Sequence, residues 1–286
     1  MKKLFLQVAI FIMLISGCQT SPNAKDQSIT TKLAKPVTSN ETKGRVIQIA
    51  AEPDSVVFDV ARTAIIVVDM ENDFCSKGGA MDRSGNNISA LMRKTINPIA
   101  DVLAAARKAG IQIIYLKMAW NQDLSDFGDE GSPNRVRGLH FAPIGDPYKA
   151  PDGSVSHILI RDNWGTQVIP ELKPRAGDIE IYKSRFSGFY NTNLDSTLKL
   201  LNKKYLIVVG STTSVCVEST VRDAMFRDYS AIVLKDCTTE PNGSDFSRSN
   251  HDASLFIIQA EFGWVSTSQE FIQTLGKSNS KDLKLQ

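Results

Sequence analysis

Histidine is scarce in this chain. Its 286 residues contain only His140, His157 and His251, each read as lying in or beside a loop. The scheme read below needs no histidine base. Cysteine is nearly as sparse, with Cys18, Cys75, Cys216 and Cys237. If Cys18 is consumed at the amino terminus, the remainder is odd, which argues against a disulfide framework and leaves a free thiol to explain. No long run of Lys or Arg occurs and the formal net charge is only +2, so no nucleic-acid surface is expected. Beyond a short leader, no apolar run approaches the ~20 residues of a membrane helix. What is present is ordinary globular material, 42% hydrophobic and 22% charged, enough for one sizeable core.

The amino terminus reads as an export signal. Met1-Lys2-Lys3 is cationic, Leu4 to Ile15 is apolar, and Ser16-Gly17 precede Cys18. Leu14-Ile15-Ser16-Gly17-Cys18 resembles a bacterial lipobox, which implies cleavage after residue 17 and lipidation of Cys18. Each buried methylene of an acyl chain adds roughly 0.8 kcal/mol, so several chains would give firm membrane anchoring. Gln19 is not the Asp that often retains lipoproteins at an inner membrane, so an outer membrane is favoured where there is one. Residues 18–52 are rich in Ser, Thr, Asn, Lys and Pro and are read as a flexible tether. The folded part is placed at 53–276, its first strand material near Val56, with a polar tail at 277–286.

Strand and helix signals then alternate. Thr63 to Val68 is a short β-branched run ending at Asp69, the pattern of a strand buried on both faces. A helix is expected from Ile96 through Ala109, with Gly110 as its stop, followed by a strand over Ile111–Met118. Residues 119–166 are irregular, and a loop of that length in a compact domain is usually functional. Strands follow at Ile179–Tyr182, Tyr205–Gly210 and Ala231–Leu234, with an edge strand at Gly263–Ser266. Helices are expected at Leu194–Leu201, from Cys216 through Met225, and over 247–261. This rhythm predicts a three-layer α/β/α domain with a mostly parallel, roughly six-stranded sheet.

Open α/β sheets bind ligands beyond the carboxyl ends of their strands. Three reactive side chains stand at such ends: Asp69, Lys183 and Cys216. A thiol of ordinary pKa, about 8.5, is mostly protonated at neutral pH, although the thiolate is the nucleophile. Placed at a helix start beside Lys183, the Cys216 anion is expected to be stabilised. Asp69 would take the thiol proton and return it to the leaving nitrogen. Taken singly, each residue has a bland reading: an inert buried thiol, a turn-forming Asp, a solvated Lys. Their joint placement favours the catalytic one. Cys75 and Cys237 keep the bland reading. Asn72, Phe74, Trp120, Phe186 and Tyr190 flank these positions and are the candidate substrate contacts, and Asn163-Trp164 either closes over the site or staples the long loop.

These residues are similar to the motifs of a known family. Ile65 to Phe74, with Asp69-Met70-Glu71-Asn72-Asp73-Phe74, resembles the opening motif of the isochorismatase-like cysteine hydrolases, and Gly210 to Thr220 resembles their nucleophile motif. Lys183 stands where that family has its catalytic lysine. Gly131-Ser132-Pro133-Asn134, Ser187 to Thr192, Val215 to Asp223 and Phe262 to Ser266 resemble the ureidoacrylate-hydrolysing branch. The resemblance implies a small amide or ureido substrate cleaved at a C–N bond through a covalent intermediate on Cys216. It also implies a cis peptide at Ser211–Thr212 and an oxyanion hole from the backbone N–H groups of Thr212 and Cys216. In that branch the position of Glu71 is usually Gln, and its members are cytoplasmic. The metal-binding Asp-x-His of the family's nicotinamidases has no counterpart after Leu116, so no metal and no cofactor is expected. The competing reading is a retired hydrolase scaffold that binds a small molecule while tethered to a membrane; a homo-oligomer is compatible with either.

Overall fold

The computed structural model describes residues 44–85 and 88–277. The leader, Cys18 and nearly all of the polar tail lie outside the described residues. Among the described residues the strands are β1 Val46–Ile49, β2 Val56–Asp59, β3 Thr63–Val68, β4 Gln112–Met118, β5 Pro147–Lys149, β6 Val155–His157, β7 Ile179–Lys183, β8 Tyr205–Ser211, β9 Ser230–Thr239 and β10 Trp264–Ser266. Six of them form one sheet in the order β10-β9-β8-β3-β4-β7, and every pairing in it is parallel.

The sheet is parallel because helical crossovers return the chain to the same end each time, which covers both faces. β3 shows the result: all its residues are buried, and they alternate between two cores. Ile65 and Val67 pack with Ile99, Val102 and Leu103 of the helix Ile96–Lys108 and with Phe271 of the helix Ser268–Gly276. Ala64, Ile66 and Val68 pack on the other side with Leu194, Leu198, Val217 and Val221. The architecture is the expected three-layer α/β/α.

Connectivity fixes where a ligand can sit. From β3 the chain builds outward to β4 and β7, then crosses back to place β8 on the other side of β3. The switch point thus falls between β3 and β8, where crossovers leave in opposite directions and open a crevice at the carboxyl ends. Registers bring those ends level: Val68 pairs with both Leu116 and Gly210, and Met118 pairs with Lys183.

Two expectations are corrected. The tether was placed through residue 52, but Val46–Ile49 already forms β1, antiparallel to β2. Ile47 and Ile49 are buried in the main core, so the segment contributes apolar area despite its polar flanks. The loop 119–166 also holds structure of its own, namely the helix Pro133–Phe141 and the β5–β6 hairpin. The Ser132 hydroxyl caps that helix by accepting from Arg135 N at 3.3 Å, and Pro133 occupies its first turn. No residue of this helix is buried.

Candidate active site

Asp69 is the residue immediately after β3, with φ of 51°, in the left-handed region that few non-glycine residues occupy. Its Oδ2 lies 2.8 Å from Lys183 Nζ, and the two side chains are 2% and 0% exposed. Lys183 ends β7, two strands away from β3, so its stem crosses the end of β4 to reach the acid. On the way Nζ meets Met118 Sδ at 3.5 Å and donates to the Arg185 carbonyl at 3.3 Å.

Cys216 arrives from the other side of the switch point. β8 approaches β3 so closely at Gly210 (φ 113°) that a Cβ there would stand 2.1 Å from Val68 O. The Ser211–Thr212 peptide is cis, as the resemblance implies. A wide turn over Thr213–Val217 follows, and the regular helix begins only at Glu218. Cys216 therefore sits inside the turn and not at the helix start. Cys216 is 7% exposed, and its thiol lies close enough to Asp69 and Lys183 to feel both charges.

The direction of the thiol's shift differs from the expected one. Burial, and then the Asp69 charge, push the Cys216 thiol above its ordinary range, and Lys183 opposes them without prevailing. Desolvation thus outweighs the cation, and the resting nucleophile is a neutral thiol. Burial likewise raises Asp69 above 3.8, against the pull of Lys183 and the thiol. For Lys183 burial works against the ammonium, but Asp69 and Cys216 outweigh it and hold it above 10.5.

Two further side chains, not singled out in the sequence, brace the turn. The buried Glu240 accepts from Ser214 N at 3.0 Å and from its hydroxyl through one oxygen, and from Asn242 N at 2.9 Å through the other. His251, at the start of the helix Asn250–Ile257 beside the preceding loop, pairs through Nδ1 with the Thr213 hydroxyl at 2.8 Å. Burial lowers its pKa from 6.5.

A cavity of about 340 Å³ opens onto Asp69 and Cys216, with Ser211 and Thr212 beside them. Of the five candidate contacts, Phe74, Trp120 and Phe186 line it. Asn72 and Tyr190 do not. The Asn72 amide donates to Trp164 O at 2.9 Å and accepts from the Ser76 hydroxyl at 2.6 Å, so it braces the backbone. Tyr190 is 49% exposed and lies beneath the Arg185 guanidinium. Asn163 accepts from His157 N at 2.9 Å, so Asn163-Trp164 staples the long loop. Sequence reasoning missed Arg137, Met92, Ile144, Leu159 and Asn242, which also line the cavity. Asn134 and Val215, which line it too, carried a signal as parts of quoted motifs, and Arg137 follows Asn134 by one helical turn. Among the described residues, no three His, Cys, Asp or Glu side chains are grouped to hold a metal ion.

Residues 63–270 match the isochorismatase domain family. This chain belongs to the isochorismatase family. The isochorismatase-family chain is 39% identical over 231 residues to ureidoacrylate amidohydrolase RutB of Caulobacter segnis, an alignment covering 81% of this chain and 93% of that protein. The RutB of Yersinia enterocolitica is 39% identical over 228 residues, covering 80% and 95%. A crystal structure of a cysteine hydrolase from Pseudomonas syringae superposes with a TM-score of 0.63 at 33% identity, covering 77% of this chain and 94% of that one. The isochorismatase-family domain is thus present at nearly the full length of its relatives, and it is a hydrolase domain.

Proposed function

We propose that this chain hydrolyses the C–N bond of a small ureido or amide compound, with Cys216 as nucleophile and Asp69 and Lys183 as its partners. The observation that carries the reading is that Asp69 and Cys216 line one cavity from strands on both sides of the switch point, with Lys183 buried against Asp69 at 2.8 Å. The named activity of the RutB relatives supports the ureido class. Arg137 at the mouth suits the carboxylate that such a ureido acid carries.

The resting state sets the order of events. Because the thiol is neutral, its proton moves to Asp69 as the sulfur attacks the carbonyl carbon. The C=O electron pair shifts to oxygen, which the backbone N–H groups of Thr212 and Cys216 are assigned to receive. The C–N bond then breaks and Asp69 returns the proton to the leaving nitrogen. A carbamoyl- or acyl-cysteine remains. Water attacks it, Asp69 takes the water proton, and the thiol is released. Lys183 stays charged throughout and keeps Asp69 anionic where burial alone favours a neutral acid.

The test is ammonia release by the detergent-solubilised full chain from ureidoacrylate, biuret, carbamoyl amino acids and simple amides. Turnover is expected from at least one, and Cys216→Ala is expected to abolish it with the circular dichroism spectrum unchanged. Full activity in that variant removes the mechanism; binding without turnover by the intact chain favours a retired scaffold. We also propose export and lipid anchoring through Cys18. Cell fractionation is expected to find the chain with membranes and Cys18→Ser in the soluble fraction.

A further inference from the structure

The cavity has two chemically distinct parts. Its catalytic end offers the polar groups Asp69, Ser211, Thr212 and Cys216, and its rim offers Arg137 and Asn242, both exposed. Part of its lining is apolar and deeply buried: Met92, Met118, Ile144 and Leu159 are each 5% exposed or less and form an apolar wall.

Leu159 shows that the apolar wall is held in place. Its φ of 52° lies in the left-handed region, unfavourable for a branched side chain. The backbone is fixed there from both sides: Leu159 N donates to Asp73 Oδ2 at 2.8 Å, and Leu159 O accepts from Trp120 N at 2.9 Å. A polar substituent against this wall would lose its water and find no partner. An apolar one gains about fourfold in affinity per buried methylene.

We infer that the substrate carries a large apolar substituent against the Met92–Ile144–Leu159 wall, and that it is an N-carbamoyl amino acid with a side chain of leucine or phenylalanine size. This rests on the C–N hydrolase reading and departs from a small polar substrate such as ureidoacrylate. The ureido carbonyl meets Cys216, the side chain lies on the wall, and the carboxylate faces Arg137 at the rim.

The experiment is a series of kcat/KM values for the full chain with N-carbamoyl-glycine, -alanine, -leucine and -phenylalanine, and with ureidoacrylate, read by ammonia release. The value is expected to rise at least tenfold from glycine to leucine, and the leucine or phenylalanine compound to exceed ureidoacrylate. A flat or falling series with the small members cleaved overturns the inference and leaves the hydrolase reading standing. No ammonia from any member overturns the inference, and the hydrolase reading falls with it only where biuret and the simple amides also release none. Leu159→Asn locates the effect, because Asn tolerates the left-handed backbone and the loop keeps its geometry. That variant is expected to lower the leucine-to-glycine ratio about tenfold; an unchanged ratio rejects the wall.

Discussion

Asp69 and Glu71 are separated by one residue, and both are buried, at 2% and 0% exposure. Asp69 has the Lys183 ammonium at 2.8 Å and the Cys216 thiol beside it. Glu71 has no ion pair among the described residues, and neither of its carboxyl oxygens has a hydrogen-bond partner there. Burial first, then the charges of Asp69 and Asp73, push Glu71 well above 4.5, and Lys117 and Lys183 do not offset them. Asp73, the third acid of the segment, ties down the long loop by accepting from Tyr148, Leu159 N and Ala80 N. Three neighbouring acids thus have three fates. The region sustains a reactive carboxylate where a buried cation has been supplied, and pushes the second acid away from its charged form where none has.

Removing the cation breaks the contrast most strongly. Lys183→Met should lower kcat/KM by about 10³-fold or more, within the range for loss of acid–base function. It should also cost about 3–5 kcal/mol of stability, because Asp69 is left buried without a partner. Adding Asp69→Asn should restore most of that stability and none of the activity; thermal melts and steady-state rates read the two effects separately.

The next effect concerns the unpartnered acid. A carboxyl whose folded pKa is raised stabilises fully below its unfolded value, near 4.5 for Glu71, and that contribution is lost as pH rises through the folded pKa. Glu71→Gln should therefore melt about 2–4 °C higher than the parent at pH 8, a gain of about 1 kcal/mol. The gap should close as pH falls towards 4.5. Activity should stay within about threefold, and a melting series over pH 4.5–8 checks the sign.

The smallest effect sharpens the reading of the thiol. With Cys216 raised by burial, alkylation by iodoacetamide should be slow at pH 7 and climb about tenfold per pH unit through pH 9, with no plateau near ~8.5. Cys75 and Cys237 are fully buried and should stay unlabelled in the folded chain, which mass spectrometry of the modified peptides resolves.

The sheet was legible because its central strands are buried on both faces and read as unbroken β-branched runs. Asp69, Lys183 and Cys216 were legible because a parallel sheet collects strand ends at one rim. Asn72 and Tyr190 misled because sequence neighbourhood does not give direction: one turns to Trp164 O and the other to solvent. Met92, Arg137 and Leu159 were not legible, since only the packed long loop brings them to one cavity. The upward shift of the thiol was missed for a related reason. Its protonation depends on how much water the fold removes, and no local motif encodes that.

The sheet order has a last consequence. Asp69 and Cys216 follow strands with neighbours on both sides, whereas Lys183 rides on β7, an edge strand paired with β4 alone. The counter-charge is thus carried by a strand held on one side only. Loss of a single ladder would switch the enzyme off while the rest of the architecture stood, so heat inactivation should run ahead of unfolding, and the two should have different midpoints.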